Sequence, residues 1–282
     1  MAEKLELVRE EKLYRLLRGK NKDSRLEASG VALLDDRTAL VVFDNFNQVA
    51  RVDVSLEARR TNRLLLAPSP GTGFEEIAVD RETGRVFCLI EALEDVDGLF
   101  RGFVAEYDAA GRYVGLTRLS TRFESENKGF EGLAHIRRGG REYLLALCEA
   151  NVGTKARKGG GRIDALTLTP EGGWKPSHRI RLPKNAEFDD YAAIDERDGR
   201  LAVVSQSSAR LWVARLDEDG RRVVPGSETV YRFPRRSYRN VEGIAWLSDD
   251  TLIAVSDRKK STQPARCARK DQSIHVFRIP TA

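Results

Sequence analysis

Short apolar runs of four to six residues, separated by turn-forming residues, recur along the whole chain. Five of them stand out: Ala39-Leu40-Val41-Val42-Phe43, Val86-Phe87-Cys88-Leu89-Ile90, Tyr143 to Cys148, Leu201-Ala202-Val203-Val204 and Leu252-Ile253-Ala254-Val255. Runs of this length, rich in β-branched residues and bounded by Gly and Asp, predict strands rather than helices. Before each run comes a turn: Asp35-Asp36, Glu82-Thr83-Gly84, Arg138-Gly139-Gly140, Asp198-Gly199 and Asp249-Asp250. After each comes a segment of alternating apolar and polar residues, over 48–54, 103–107, 162–168, 209–216 and 273–279. A fourth strand follows in most copies, for instance over 112–119 and 229–233.

The shorter strand ahead of each turn opens on a repeated signature: an apolar residue, an acid, any residue, an apolar residue, then Ala. The copies are Phe74-Glu75-Glu76-Ile77-Ala78, Phe130-Glu131-Gly132-Leu133-Ala134, Phe188-Asp189-Asp190-Tyr191-Ala192 and Val241-Glu242-Gly243-Ile244-Ala245, with Ala28-Ser29-Gly30-Val31-Ala32 as a weaker first copy. The second positions, 29, 75, 131, 189 and 242, lie 46 to 58 residues apart. Four strands per unit of about 50 residues is the rhythm of a propeller blade. The predicted fold is therefore all-β: one β-propeller domain over 1–282, with five blades of four antiparallel strands, or six if one blade has lost its signature. The fifth unit runs out of chain before a fourth strand. The segment Lys12-Leu13-Tyr14-Arg15-Leu16-Leu17 has no unit of its own, so it is expected to supply the N-terminal outer strand that closes the last blade, which removes an exposed edge. Residues 1–20 also fit a helical appendage.

Composition narrows the class little further. At 41% hydrophobic the chain can build a sizeable core, and its apolar stretches are too short to span a bilayer. The charged start, Met1-Ala2-Glu3-Lys4-Leu5-Glu6, lacks the apolar centre of a signal peptide, so a cytoplasmic monomer without membrane contact is expected. Three scattered cysteines form neither a disulfide framework nor a CxxC site. Cys88 and Cys148 read as core thiols, and Cys267 as a bystander in a basic loop. The net charge of +5 is modest, and a nucleic-acid role would need aromatics interleaved with the basic loops, where only Tyr238 qualifies. No HExxH, GxSxG or P-loop pattern occurs.

The candidate chemistry lies in register. The inner strand of each blade lines the channel of a propeller, so Ser29, Glu75, Glu131, Asp189 and Glu242 should converge at one mouth. Carboxylates around one axis must take up protons or share a cation, and oxygen-only donors suit Ca²⁺, or Mg²⁺. Acids that merely cap strand ends are the plainer alternative. A second polar set, Asp44, Glu91, Glu149, Gln206 and Asp257, ends the second strands and should face the same mouth. Asp44, Glu91, Glu149 and Asp257 are the candidate general bases. The loops expected on that face carry Arg258, Lys259, Arg239, Lys128 and Arg162, candidate holders of an anionic ligand.

The Phe130-Glu131-Gly132-Leu133-Ala134 and Val241-Glu242-Gly243-Ile244-Ala245 copies, each leading to a strand that ends in an acid, resemble the repeats of the esterase-like-phytase and SdiA-regulated propeller groups. The stretch Glu27-Ala28-Ser29-Gly30-Val31 resembles the first-blade motif of the calcium-activated nucleotidases (apyrases). That resemblance implies a five-bladed propeller with a central Ca²⁺, and Ser29, Glu75, Glu131 and Glu242 as its ligands; Asp189 departs from the pattern. Two functions stay open. One is a metal-dependent hydrolase of a phosphate ester or similar anionic small molecule at the channel mouth. The other is a non-catalytic binding propeller with a structural cation.

Overall fold

The structure is a computed structural model that describes residues 2–67, 73–94, 98–123, 129–149, 160–183, 186 and 188–280. Five small antiparallel sheets form a five-bladed β-propeller. Blade 1 comprises Ala28–Asp35, Thr38–Phe43, Gln48–Asp53 and Arg63–Leu66; blade 2 comprises Glu76–Asp80, Arg85–Glu94, Phe100–Tyr107 and Tyr113–Phe123. Blade 3 comprises Phe130–Arg138, Arg141–Cys148, Arg162–Leu168 and Trp174–Arg181; blade 4 comprises Ala193–Arg197, Arg200–Ser205, Arg210–Arg215 and Thr229–Arg232. Blade 5 comprises Val241–Trp246, Thr251–Ser256 and Ser273–Arg278, and takes its outer strand from the N-terminal segment Glu6–Lys12.

An N-terminal strand thus closes the last blade, as the repeat count required, but it comes from residues upstream of the apolar Leu13–Leu17 segment. The closing strand is polar (Glu6-Leu7-Val8-Arg9-Glu10-Glu11-Lys12) because an outer strand faces water, and backbone pairing rather than side-chain burial places it. The leucines instead form a short helix, Leu13–Leu16, whose Leu13 and Leu16 are buried between blades 1 and 5. Ahead of the closing strand, Glu3–Lys4 pairs in parallel with the outer strand of blade 4 and makes that sheet five-stranded.

The packing explains why the second strands are continuously apolar. Each blade stands between two others, so both faces of its inner strands are buried. In blade 3, Leu145 and Leu147 pack towards blade 4, while Leu144, Ala146 and Cys148 pack towards blade 2. All three cysteines are buried free thiols; the loop residue Cys267 lies as deep as the strand residues Cys88 and Cys148. Inner strands approach so closely that a Cβ on Gly243 would come within 2.8 Å of Gly30 Cα and Val31 N, both backbone atoms. That contact is shorter than real Cβ atoms show and accounts for glycine in the signature. Among the described residues, no helix is long and apolar enough to cross a membrane.

Candidate functional site

Backbone pairing fixes the register of the two polar sets. Gly30 pairs with Val42, Glu76 with Leu89, Gly132 with Leu147, Ala193 with Val204 and Gly243 with Val255. One residue earlier on the inner strands stand Ser29, Glu75, Glu131, Ala192 and Glu242. Two residues later on the second strands stand Asp44, Glu91, Glu149, Gln206 and Asp257. The second set therefore falls in register in all five blades, and the first in four.

Blade 4 is the exception. Its ring place belongs to Ala192, three residues beyond Asp189. Asp189 is exposed, and its carboxylate accepts from the Ser208 hydroxyl at 3.2 Å. Asp190 accepts from the Ser205 and Ser207 hydroxyls at 2.6 and 2.5 Å, bracing the turn after the second strand. The signature in this blade is matched by residue type but displaced in space, because its acids serve a turn.

At the mouth, acids from both sets form one electrostatic cluster. Burial first, and then the Glu27 charge, push the Asp44 carboxyl up to about 6. Burial, followed by the charge of Asp44, pushes Asp257 up to about 7. Glu242 feels the charges of Asp257 and Glu75 as well, with Lys260 opposing them. Two oxygens, Asp44 Oδ1 and Asp257 Oδ1, are buried without a hydrogen-bond partner. Buried carboxylate oxygens in that condition call for a proton or a cation.

Among the described residues, Lys260 reaches over the cluster. Lys260 Nζ lies 2.9 Å from Glu242 Oε1, which also accepts from the Gln206 side-chain amide. The charges of Glu242, Asp257 and Glu131 raise the Lys260 pKa and keep it an ammonium. Its loop is stitched in place: Lys260 N–H donates to Gln263 Oε1 at 2.9 Å, Lys259 N–H to Asp271 Oδ1 at 2.8 Å, and Gln263 Nε2 to the Arg239 carbonyl at 2.8 Å. Glu27 is held at the rim by Arg25 (2.8 Å) and Arg258 (3.0 Å).

The donor set fits a hard divalent ion. Asp44 and Asp257 offer unpartnered oxygens, and Glu75 and Glu131 belong to the same mouth. Ser29 is buried and donates its hydroxyl to the Phe74 carbonyl at 2.5 Å, which leaves its oxygen lone pairs as acceptors. Glu242 would have to give up Lys260 and Gln206 to join. Glu149 follows Cys148 in the expected place and is half-buried. Glu91 occupies the equivalent backbone position in blade 2; its side chain is outside the described set.

Of the basic residues expected around the mouth, Arg258 is paired with Glu27, and Lys259 Nζ is spent on the Lys260 and Gln263 carbonyls at 2.9 and 3.4 Å. Arg162 donates to Cys148 Sγ at 3.1 Å and lies 3.4 Å from Asp164. Arg239 lines a cleft at the outer end of blade 4. Lys128 and residues 155–159 of the basic glycine-rich loop lie outside the described residues.

Three features were not read from the sequence. Lys260 sits in a run of cations that suggests a solvated loop, and nothing local says that it folds inward. Glu76 is the unspecified residue of the signature, yet it replaces the Gly or Ala of the other blades and fills the channel. Its Oε1 accepts from the Val31 and Ile77 N–H groups at 3.0 Å each, and its Oε2 is buried without a partner. Burial, with the Asp195 and Glu75 charges, holds it well above the usual carboxylate range. The third is the far end of the channel, a pocket of about 350 Å³ bounded by Asp80, Arg81, His135, Arg137, Asp195 and Arg197. There Arg81 reaches from blade 2 to the Trp246 carbonyl at 3.3 Å, and Asp195 accepts from Trp246 N–H at 2.7 Å. Asp80, His135 and Glu142 have metal-like spacing in this region. However, Arg85 and Arg137 both contact Asp80 and Glu142, so guanidinium groups already supply the positive charge there.

No protein-family profile matches the chain, and no curated protein matches its sequence. Solved structures do share its fold. One is the glutaminyl cyclase of Myxococcus xanthus (TM-score 0.54, 12% identity, 100% of both chains covered). Another is the GH43_1 enzyme from Xanthomonas citri (TM-score 0.54, 11% identity, 98% of this chain and 91% of that one). A third is the PQQ-bound aldose sugar dehydrogenase of Streptomyces coelicolor (TM-score 0.52, 15% identity, 96% of this chain and 98% of that one). At these identities the likeness establishes the propeller fold.

Proposed function

We propose that the acid-ringed mouth binds a divalent cation, Ca²⁺ in the first place, and that the protein uses it to hydrolyse a phosphate ester or similar anionic small molecule. The observation that carries this reading is the pair of buried, unpartnered oxygens of Asp44 and Asp257 at the ends of neighbouring second strands. Asp44, Asp257, Glu75, Glu131 and Ser29 would hold the ion. A bound divalent ion supplies Lewis-acid polarisation and lowers the pKa of a bound water. Glu149, in the same register and not among these ligands, is the candidate base that would accept the proton of the bound water. The fold neighbours named above include a cyclase, a dehydrogenase and a GH43_1 enzyme, which supports a catalytic propeller without indicating this substrate.

Lys260 favours a second reading. A partly exposed ammonium across the mouth, paired with Glu242, also suits a binding propeller in which charge pins the blades together and nothing is turned over. Metal content, calcium-dependent melting and a panel of phosphate and carboxylate esters with and without EDTA separate the two. Calcium should raise the melting temperature of the wild type, and Asp44→Asn with Asp257→Asn should abolish the rise. A calcium shift that survives the double variant removes the ion from this mouth. Absence of ester turnover under any metal condition leaves the binding reading.

A further inference from the structure

At the outer end of blade 4, on the same face as the mouth, lies a cleft of about 500 Å³. Among the described residues, six cations line it, Lys4, Arg210, Arg232, Arg235, Arg236 and Arg239, with one carboxylate, Asp189. Three of the six lie on one rung of the sheet. Lys4 pairs with Arg232 across the parallel N-terminal strand, and Arg232 pairs with Arg210 across the antiparallel one. The Arg232 Nε donates to the Ala2 carbonyl at 3.0 Å, which holds this guanidinium at the cleft. Arg239 contributes a buried Nε that has no hydrogen-bond partner.

The remaining cations sit on a rigid support. The linker from blade 4 to blade 5 is anchored by Phe233, Ser237 and Tyr238, all buried. The Tyr238 ring stacks on Phe233 at 5.8 Å, and its hydroxyl donates to Glu10 Oε2 at 3.1 Å. Arg235 and Arg236 project from this linker into water. A water-accessible concavity lined by several guanidinium groups suits a multiply charged oxyanion, which it can take through forked hydrogen bonds. Its aromatic residue, Phe233, is only 5% exposed, so the cleft offers no face for stacking a base.

We propose that this cleft binds a small phosphorylated anion carrying at least two phosphate charges. The site is separate from the acid-ringed mouth and does not depend on a metal there. The test uses the full chain in EDTA at low salt, with inorganic pyrophosphate as probe and calorimetry and thermal melting as readouts. Wild-type protein should bind pyrophosphate and melt higher in its presence, with affinity falling as salt rises. Arg235→Ala with Arg236→Ala, at exposed positions, should weaken binding at least tenfold with the melting temperature of the free protein unchanged. Arg210→Gln should shrink the pyrophosphate shift. Asp44→Asn with Asp257→Asn should bind pyrophosphate like the wild type, which separates this site from the mouth. The proposal is overturned by absence of binding in the wild type, or by binding that ignores Arg235, Arg236 and Arg210. Citrate binding as tightly as pyrophosphate overturns the phosphate class. Single-stranded DNA binding more tightly overturns the small ligand.

Discussion

Glu10 ties the closing strand to blade 5, and replacing it tests the closure directly. Its carboxylate accepts from Lys270 Nζ at 2.7 and 2.6 Å, from His275 Nδ1 at 2.9 Å and from the Tyr238 hydroxyl at 3.1 Å. His275 is fully buried, and burial lowers its pKa, so the neutral ring donates from Nδ1 while Nε2 accepts from the Ser256 hydroxyl at 2.8 Å. Burial acts to raise the Glu10 pKa, but the hydrogen bonds from His275 and Lys270 and the Lys270 charge outweigh it and hold the group at about 2, against an ordinary 4.5. The folded value is the depressed one, so the stabilisation is present in full above pH 4.5 and is lost as pH falls towards 2. At about 1.4 kcal/mol per unit the gap corresponds to roughly 3 kcal/mol, trimmed by solvent to about 2–3 because part of the carboxylate is exposed. Glu10→Gln keeps the shape and removes the charge. Urea unfolding at pH 7 should show a loss of about 2–3 kcal/mol, and the difference from wild type should close between pH 4.5 and pH 2. A cost at pH 7 below about 0.5 kcal/mol, or one that does not shrink on acidification, refutes this account of the closure.

Deleting residues 1–12 strips blade 5 of its outer strand and exposes the Ser273–Arg278 edge; aggregation or loss of a single cooperative melting transition is expected, and an unchanged melt counts against closure. Gly243→Ala places a Cβ 2.8 Å from the backbone of blade 1, where little can yield, so chemical denaturation should show a loss of about 1–3 kcal/mol. Burial raises the pKa of Cys88 and pushes Cys148 up to about 12, and Cys267 is buried too. A thiol reagent at pH 8 should therefore find almost no reactive sulfhydryl in the native protein and all three after denaturation; rapid native labelling would contradict the packing.

The propeller was legible in the sequence because blade architecture is a repeat of local patterns. A continuous apolar strand means burial on both faces, an alternating one means a half-exposed neighbour, and Asp-Gly turns separate them; their recurrence five times sets the ring size. The second polar set was legible for the same reason, since strand length fixes where Asp44 and Asp257 emerge relative to their inner-strand partners. Properties set by contacts between distant segments were not legible. The apolar segment 12–17 read as the closing strand, and only pairing with Ser273–Arg278 shows that the polar residues 6–12 form it. Asp189 carries the right chemistry three residues away from the ring place, an offset that side-chain type alone does not reveal. Lys260 and Glu76 read as a loop cation and a variable position, yet one reaches over the mouth and the other fills the channel. Periodic hydrophobicity specifies which backbone segments pair; which charges then meet depends on how five blades bring residues more than two hundred positions apart, such as Glu27 and Arg258, within 3.0 Å of each other.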